Sequence, residues 1–179
     1  MSYCKYVNAL QNEQMNVHQI YHNTQYGFPI QNDDELFGRL ILEINQAGLN
    51  WTTILNKQEN FRKAYDNFSI NLISNYTESD FERLINDKGI IRNRLKINAT
   101  IYNAQIIVEL IKKFGSFKNW LDSQKFIELK GWTKLFKDTF KFTGGEIVNE
   151  FLMSTNYLPG AHDIDCPIYN VIENLNDSI

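Results

Sequence analysis

Glu43 and Trp51 are the residues of this chain best placed to do chemistry. Leu36, Phe37, Leu40, Ile41, Ile44 and Ala47 recur at helical spacing, and Asn32-Asp33-Asp34-Glu35 reads as that helix's start. Glu43 therefore falls on or beside an apolar stripe, three residues from Leu40 and four from Ala47. A carboxylate desolvated there is costly unless it is paired or hydrogen-bonded. Arg39, one turn back, is the structural partner such a position would take, and an incoming cation is the functional one. Trp51 follows the tight Gly48-Leu49-Asn50 segment and is either a core ring or a flat face offered to a ligand. A carboxylate beside an indole suits a flat, positively charged molecule.

A second group of residues points to a metal. Both cysteines of the chain and its three histidines sit in clusters near the two ends: Cys4 with His18 and His22, and His162 with Cys166. Two thiols and two imidazoles complete a tetrahedral shell for zinc with no open position, which is the pattern of a structural site. Three histidines compete for two places, so spacing alone leaves the choice between His18 and His22 open.

The segment from Asp33 to Leu55, centred on Gln46-Ala47-Gly48-Leu49-Asn50-Trp51, resembles the signature of the DNA-3-methyladenine glycosylase I family. Further matches follow in order along the chain. They are Cys4, Tyr21-His22, Gly89-Ile90-Ile91-Arg92-Asn93-Arg94 with Lys96, Asn103-Ala104, Phe140-Lys141-Phe142-Thr143-Gly144, and His162 with Cys166. The resemblance implies a monofunctional repair glycosylase. Such an enzyme hydrolyses the N-glycosidic bond of 3-methyladenine in alkylated double-stranded DNA and leaves an abasic site. It implies Glu43 as the catalytic carboxylate, with Tyr21, Trp51 and Tyr6 holding the base. It assigns the zinc ligands to Cys4, His22, His162 and Cys166, with His18 outside the set and no cofactor for the chemistry. Tyr6 stands where the family has tryptophan, and Gln25-Tyr26-Gly27 where it has Glu-Trp-Gly.

A base stacked in a duplex is attacked only after extrusion, so the backbone must be gripped and the gap filled. Leu49, presented by Gly48, is the candidate wedge, and Arg92, Arg94 and Lys96 are the candidate phosphate contacts. The net charge of -3 speaks against a nucleic-acid partner until its distribution is considered. From Arg83 to Lys141 thirteen basic residues face five acidic ones, a net +8, while the remainder carries -11. The basic block supplies a phosphate-tracking face. An N3-alkylated adenine is itself a cation whose glycosidic bond is already weakened, so Glu43 has to recognise and orient more than it has to protonate.

The elements that must position these residues are helical. Thr77-Glu78-Ser79-Asp80 opens a short helix that ends at Asp87-Lys88-Gly89. A longer helix runs from about Ile91, with Ile97, Ile101, Ala104, Val108 and Ile111 on one stripe and Gly115 as its stop. Phe117, Trp120 and Leu121 mark another, Trp132, Leu135 and Phe136 another, and Gly145 to Met153 the last before the metal-bearing tail. The expected architecture is all-α, a helix-hairpin-helix glycosylase-like domain whose zinc site joins the N- and C-terminal segments. At 179 residues it is read as a single glycosylase domain over 1–179, with room for two helical lobes around a base pocket. No window is apolar enough for a membrane span, and no targeting segment opens the chain, which points to a cytoplasmic address; the protein is expected to be a monomer. Two other classes compete: a zinc-stabilised helical module that binds nucleic acid without catalysis, and a zinc hydrolase with an open coordination position.

Overall fold

The computed structural model describes residues 1–10, 16–124 and 128–176, and these form eleven α-helices and one short 3-10 turn, with no strand among them. Among the described residues no helix is long and apolar enough to cross a membrane. The first helices are α1 (Tyr3–Asn8) and α2 (Val17–Thr24), then α3 (Asp33–Gln46) and α4 (Trp51–Ala64).

The centre is α3. Leu36, Phe37, Leu40, Ile41 and Ile44 are fully buried, as their spacing predicts, and the helix is covered by α4 and by elements further along the chain. Asn32 caps it by accepting from the Glu35 amide at 3.0 Å. The acids of its first turn reach beyond their own helix. Asp33 accepts from the Phe117 and Lys118 amides, both at 2.9 Å, and so caps α8 (Phe117–Asp122). Asp34 accepts from the Ile70 amide at 2.9 Å at the start of α5 (Ile70–Ser74). Gly38 lets α3 and the 3-10 turn Asp66–Phe68 touch, since a Cβ there would lie 2.3 Å from the Phe68 ring.

A helix-turn-helix unit follows, its second helix packed on α5 and α3. Its first helix, α6 (Glu78–Asn86), begins with a reciprocal Thr77–Asp80 capping box. Its second, α7 (Arg94–Phe114), begins three residues later than the periodicity suggested. Asn93 accepts from the Leu95 and Lys96 amides and is the true N-cap, leaving the preceding residues as the connecting turn. Lys57 of α4 clamps that turn by donating to the Lys88 and Gly89 carbonyls at 3.0 Å each. The chain closes with α9 (Leu129–Thr139), α10 (Gly145–Ser154) and α11 (Pro167–Asn176).

Candidate base pocket and metal cluster

A cavity of about 1020 Å³ opens between α1, α2, the α3–α4 turn and α10. Its lining holds Tyr3, Tyr6, Tyr21, Tyr26, Trp51 and three glutamates, with no lysine or arginine among them. The volume is ample for a purine. The structure therefore brings together Glu43, Tyr21, Trp51 and Tyr6 as one concave surface, and Gly48 lies at its edge.

Glu43 is 4% exposed, yet it takes no hydrogen bond or ion pair from any described residue. Burial pushes its carboxyl up to about 8, opposed by the nearby Arg39 charge and reinforced by Glu150. Arg39 is not its ion-pair partner. The buried guanidinium is spent on Tyr21 Oη at 3.2 Å, the Ser154 carbonyl at 3.0 Å and the Gln25 carbonyl at 3.5 Å. Because Arg39 donates to Tyr21 Oη, the tyrosine's own hydrogen is left to donate, and burial holds that phenol above the ordinary tyrosine range. The Trp51 ring meets the Tyr21 ring edge-on, 5.2 Å between centroids. Tyr6 is 40% exposed and stacks on Tyr3 at 6.2 Å near the opening.

Leu49 is 38% exposed at the tip of the turn, and Gly48 holds the left-handed backbone (φ +79°) that presents it. Arg92 and Arg94 are exposed around the start of α7, with Arg94 lying 4.7 Å over the Phe81 ring. Lys96 differs from the expected phosphate contact and corrects that assignment. It is 4% exposed, and its ammonium donates to the Asn45 carbonyl at 2.9 Å and the Ala47 carbonyl at 2.7 Å. The end of α3 has no glycine cap there, so its carbonyls need an outside donor, and Lys96 supplies one. Lys125 of the basic block lies outside the described residues.

Among the cavity residues that sequence reasoning did not assign to the pocket are Tyr3, Tyr26 and Glu150. Tyr3 sits in the six-residue α1 and Tyr26 in the turn after α2, where no periodic signal marks either. Glu150 reads from sequence as an ordinary polar position of α10, and only packing turns it toward Tyr26, whose hydroxyl donates to it at 3.3 Å.

Cys4, His22, His162 and Cys166 are all buried, with their ligand atoms within 4.8 Å of one another. A tetrahedral zinc ion, with sulfur at about 2.3 Å and nitrogen at about 2.1 Å, needs sulfur–nitrogen separations of about 3.6 Å. The four here are 3.2 Å (His22 Nε2–Cys4 Sγ), 3.5 Å (Cys4 Sγ–His162 Nδ1) and 3.7 Å twice (Cys166 Sγ to each histidine). The outward nitrogens are held as well, His162 Nε2 at 2.7 Å from the Tyr26 carbonyl and His22 Nδ1 at 2.7 Å from Asn23 Oδ1. Burial pushes the Cys4 thiol up to about 11 and lowers the pKa of His162. The donors fit a metal ion, and none of the four lines the cavity. His18 faces elsewhere: its ring nitrogens lie 3.0 Å from Tyr3 Oη and 2.8 Å from Thr52 Oγ1.

Comparison with known proteins agrees with this geometry. Residues 11–134 match the family model described as methyladenine glycosylase. DNA-3-methyladenine glycosylase 1 of Escherichia coli K12 is 41% identical, with 83% of this chain and 89% of the relative covered. The 3-methyladenine DNA glycosylase I of Staphylococcus aureus, solved to explain 3-methyladenine recognition, superposes with a TM-score of 0.77 at 29% identity. That match covers 88% of this chain and 93% of the other. A tyrosine-to-phenylalanine variant of a 3-methyladenine DNA glycosylase I, solved in complex with 3-methyladenine, gives 0.79 at 28% identity over 94% and 97%. The chain belongs to the methyladenine glycosylase family.

Proposed function

We infer that this protein is a DNA repair glycosylase that releases 3-methyladenine from alkylated double-stranded DNA by hydrolysing its N-glycosidic bond, leaving an abasic site. The observation that carries the reading is Glu43: a buried carboxyl beside an indole, with no hydrogen-bond or ion-pair partner among the described residues, in a cavity whose described lining holds glutamates and no lysine or arginine. Burying such a group is unfavourable until an opposite charge arrives, and an N3-alkylated adenine brings one.

The everted base lies against the Trp51 face, an attraction worth about 1 to 2 kcal/mol for a desolvated cation. Glu43 accepts from the base edge, Tyr21 donates its free hydroxyl hydrogen, and Tyr6 covers the outer side. Entry of the cation draws the Glu43 pKa down, so binding releases a proton from the carboxyl. With the leaving group already positive, no general acid is required. Glu43 then opposes the charge that develops on the sugar as water attacks. Leu49 fills the vacated stack, while Arg92, Arg94 and the backbone amides of the α6–α7 turn hold phosphates. That helix pair is read as the helix-hairpin-helix element of a single glycosylase domain spanning the chain, acting as a cytoplasmic monomer. Cys4, His22, His162 and Cys166 would hold zinc, which supplies structural closure of the two ends and takes no part in the reaction.

Incubation of the purified protein with methylated duplex DNA, followed by identification of the released bases, tests the proposal. The expected product is 3-methyladenine, with 7-methylguanine largely left in place. Glu43→Gln is expected to lower release at least a hundredfold, and Trp51→Ala by about five- to thirtyfold. Unchanged release in both variants would instead favour a helical DNA-binding module whose pocket does no work.

A further inference from the structure

Glu43 is shared between two positive charges if the pocket takes a cationic base. One is the base, and the other is Arg39, a buried guanidinium that makes no ion pair among the described residues and whose field reaches Glu43 from behind. A single carboxylate leaves that arrangement one negative charge short in a desolvated site, where the shortfall is costly. The structure places another carboxylate there. Glu150 lines the same cavity on α10, one turn before Ser154, whose carbonyl anchors Arg39 at 3.0 Å. Its carboxylate is fixed by the Tyr26 hydroxyl at 3.3 Å and has no ion-pair partner among the described residues. Burial raises its pKa, with the Tyr26 bond opposing and Glu146 adding. Glu146, one turn earlier at the rim, is exposed, so solvent screens its charge.

We propose that Glu150 is a second specificity-determining residue of the pocket: its carboxylate, held by Tyr26, restores the negative charge that Arg39 takes from Glu43 and so selects purines that carry a positive charge. The proposal rests on the pocket being the base site of a glycosylase. It adds a duty within that pocket: Glu43 and Tyr21 meet the base edge, and Glu150 joins Glu43 in answering its charge.

The test uses two small ligands titrated against the full chain by tryptophan fluorescence: 3,9-dimethyladeninium, a permanent cation, and 9-methyladenine, its neutral counterpart. Glu150→Gln is expected to weaken binding of the cation about tenfold and that of the neutral base less than twofold. Glu150→Asp, which keeps the charge, is expected to recover most of the preference, and Tyr26→Phe to lose about threefold of it. Thermal melts accompany each variant, and the Asp and Phe variants carry the comparison if the Gln variant does not fold. An unchanged ratio of cation to neutral affinity in Glu150→Gln, or an equal loss for both ligands, overturns the proposal. Release of 3-methyladenine from alkylated DNA by the wild-type chain is measured in parallel. Its failure would sink the glycosylase reading, whereas its success alongside an unchanged ratio would sink only the role of Glu150.

Discussion

Glu43 trades stability for a ligand site, and the trade has a definite sign with pH. Its folded-state value of about 8 lies above the ordinary glutamate value of 4.5, so the folded protein holds this proton more tightly than the unfolded chain. Stability from this group is therefore fully present below about 4.5, falls as pH rises toward about 8, and is level beyond. Glu43→Gln removes the penalty. It is expected to raise the Tm by several degrees at pH 8 and by little at pH 5 while release of 3-methyladenine collapses. A Tm gain independent of pH would show that Glu43 is not the group being titrated. The same proton predicts that kcat/KM for base release climbs with pH up to about 8, since that ratio reports ionisation in the free enzyme. The sequence made Glu43 legible because a carboxylate on an apolar helical stripe conflicts with burial. It could not show that Arg39 is engaged elsewhere, because the Ser154 carbonyl that occupies it is distant in the chain.

At the level of elements, the α3–α4 turn depends on a residue from α7. Lys96 binds the Asn45 and Ala47 carbonyls and lies 5.7 Å over the Phe142 ring, so it ties the end of the Glu43 helix to the helix-turn-helix unit. Two hydrogen bonds from a buried ammonium are worth about 2 kcal/mol or more, and the carbonyls left behind would lack a donor. Lys96→Met is expected to cost at least that in urea unfolding. It should also lower release from duplex DNA more than it lowers binding of the free base, because the turn carrying Leu49 loses its anchor. Equal losses in the two assays would show that Lys96 only stabilises the fold. The long helices α3 and α7 were readable from 3.6-residue periodicity, and Gly115 stops α7 in the left-handed conformation expected of it. The helices α1, α2, α5 and α11 were not, since few apolar residues mark their buried faces and their packing partners cannot be read from local spacing: α2 buries His18, Tyr21 and His22 and packs on α4. Lys96 was misassigned for the same reason. Local spacing grouped it with Arg92 and Arg94, and only the packed turn shows that it points inward.

Over the whole molecule, the metal cluster and the base pocket meet at Tyr26. Its carbonyl orients His162, its ring contacts those of Tyr3 and Tyr21, and its hydroxyl holds Glu150. The Cys4 side has a matching tie, because Cys4 Sγ accepts from the Asp163 amide at 3.3 Å and Ser2 donates to the Asp163 carboxylate. A metal ion bridging the two ends would thus fix one wall of a cavity that none of its ligands touches. Four donors fill a tetrahedral shell, leaving no position for a water or a substrate, so chelation should act through stability and pocket shape. Treatment of the purified protein with a zinc chelator is expected to lower the Tm by about 10 °C or more, and to weaken free-base binding before it lowers turnover at saturating substrate. Addition of Zn2+ should reverse both changes. Loss of turnover at saturating substrate with an unchanged Tm would instead place the metal in the reaction, and the closed shell proposed here would have to open.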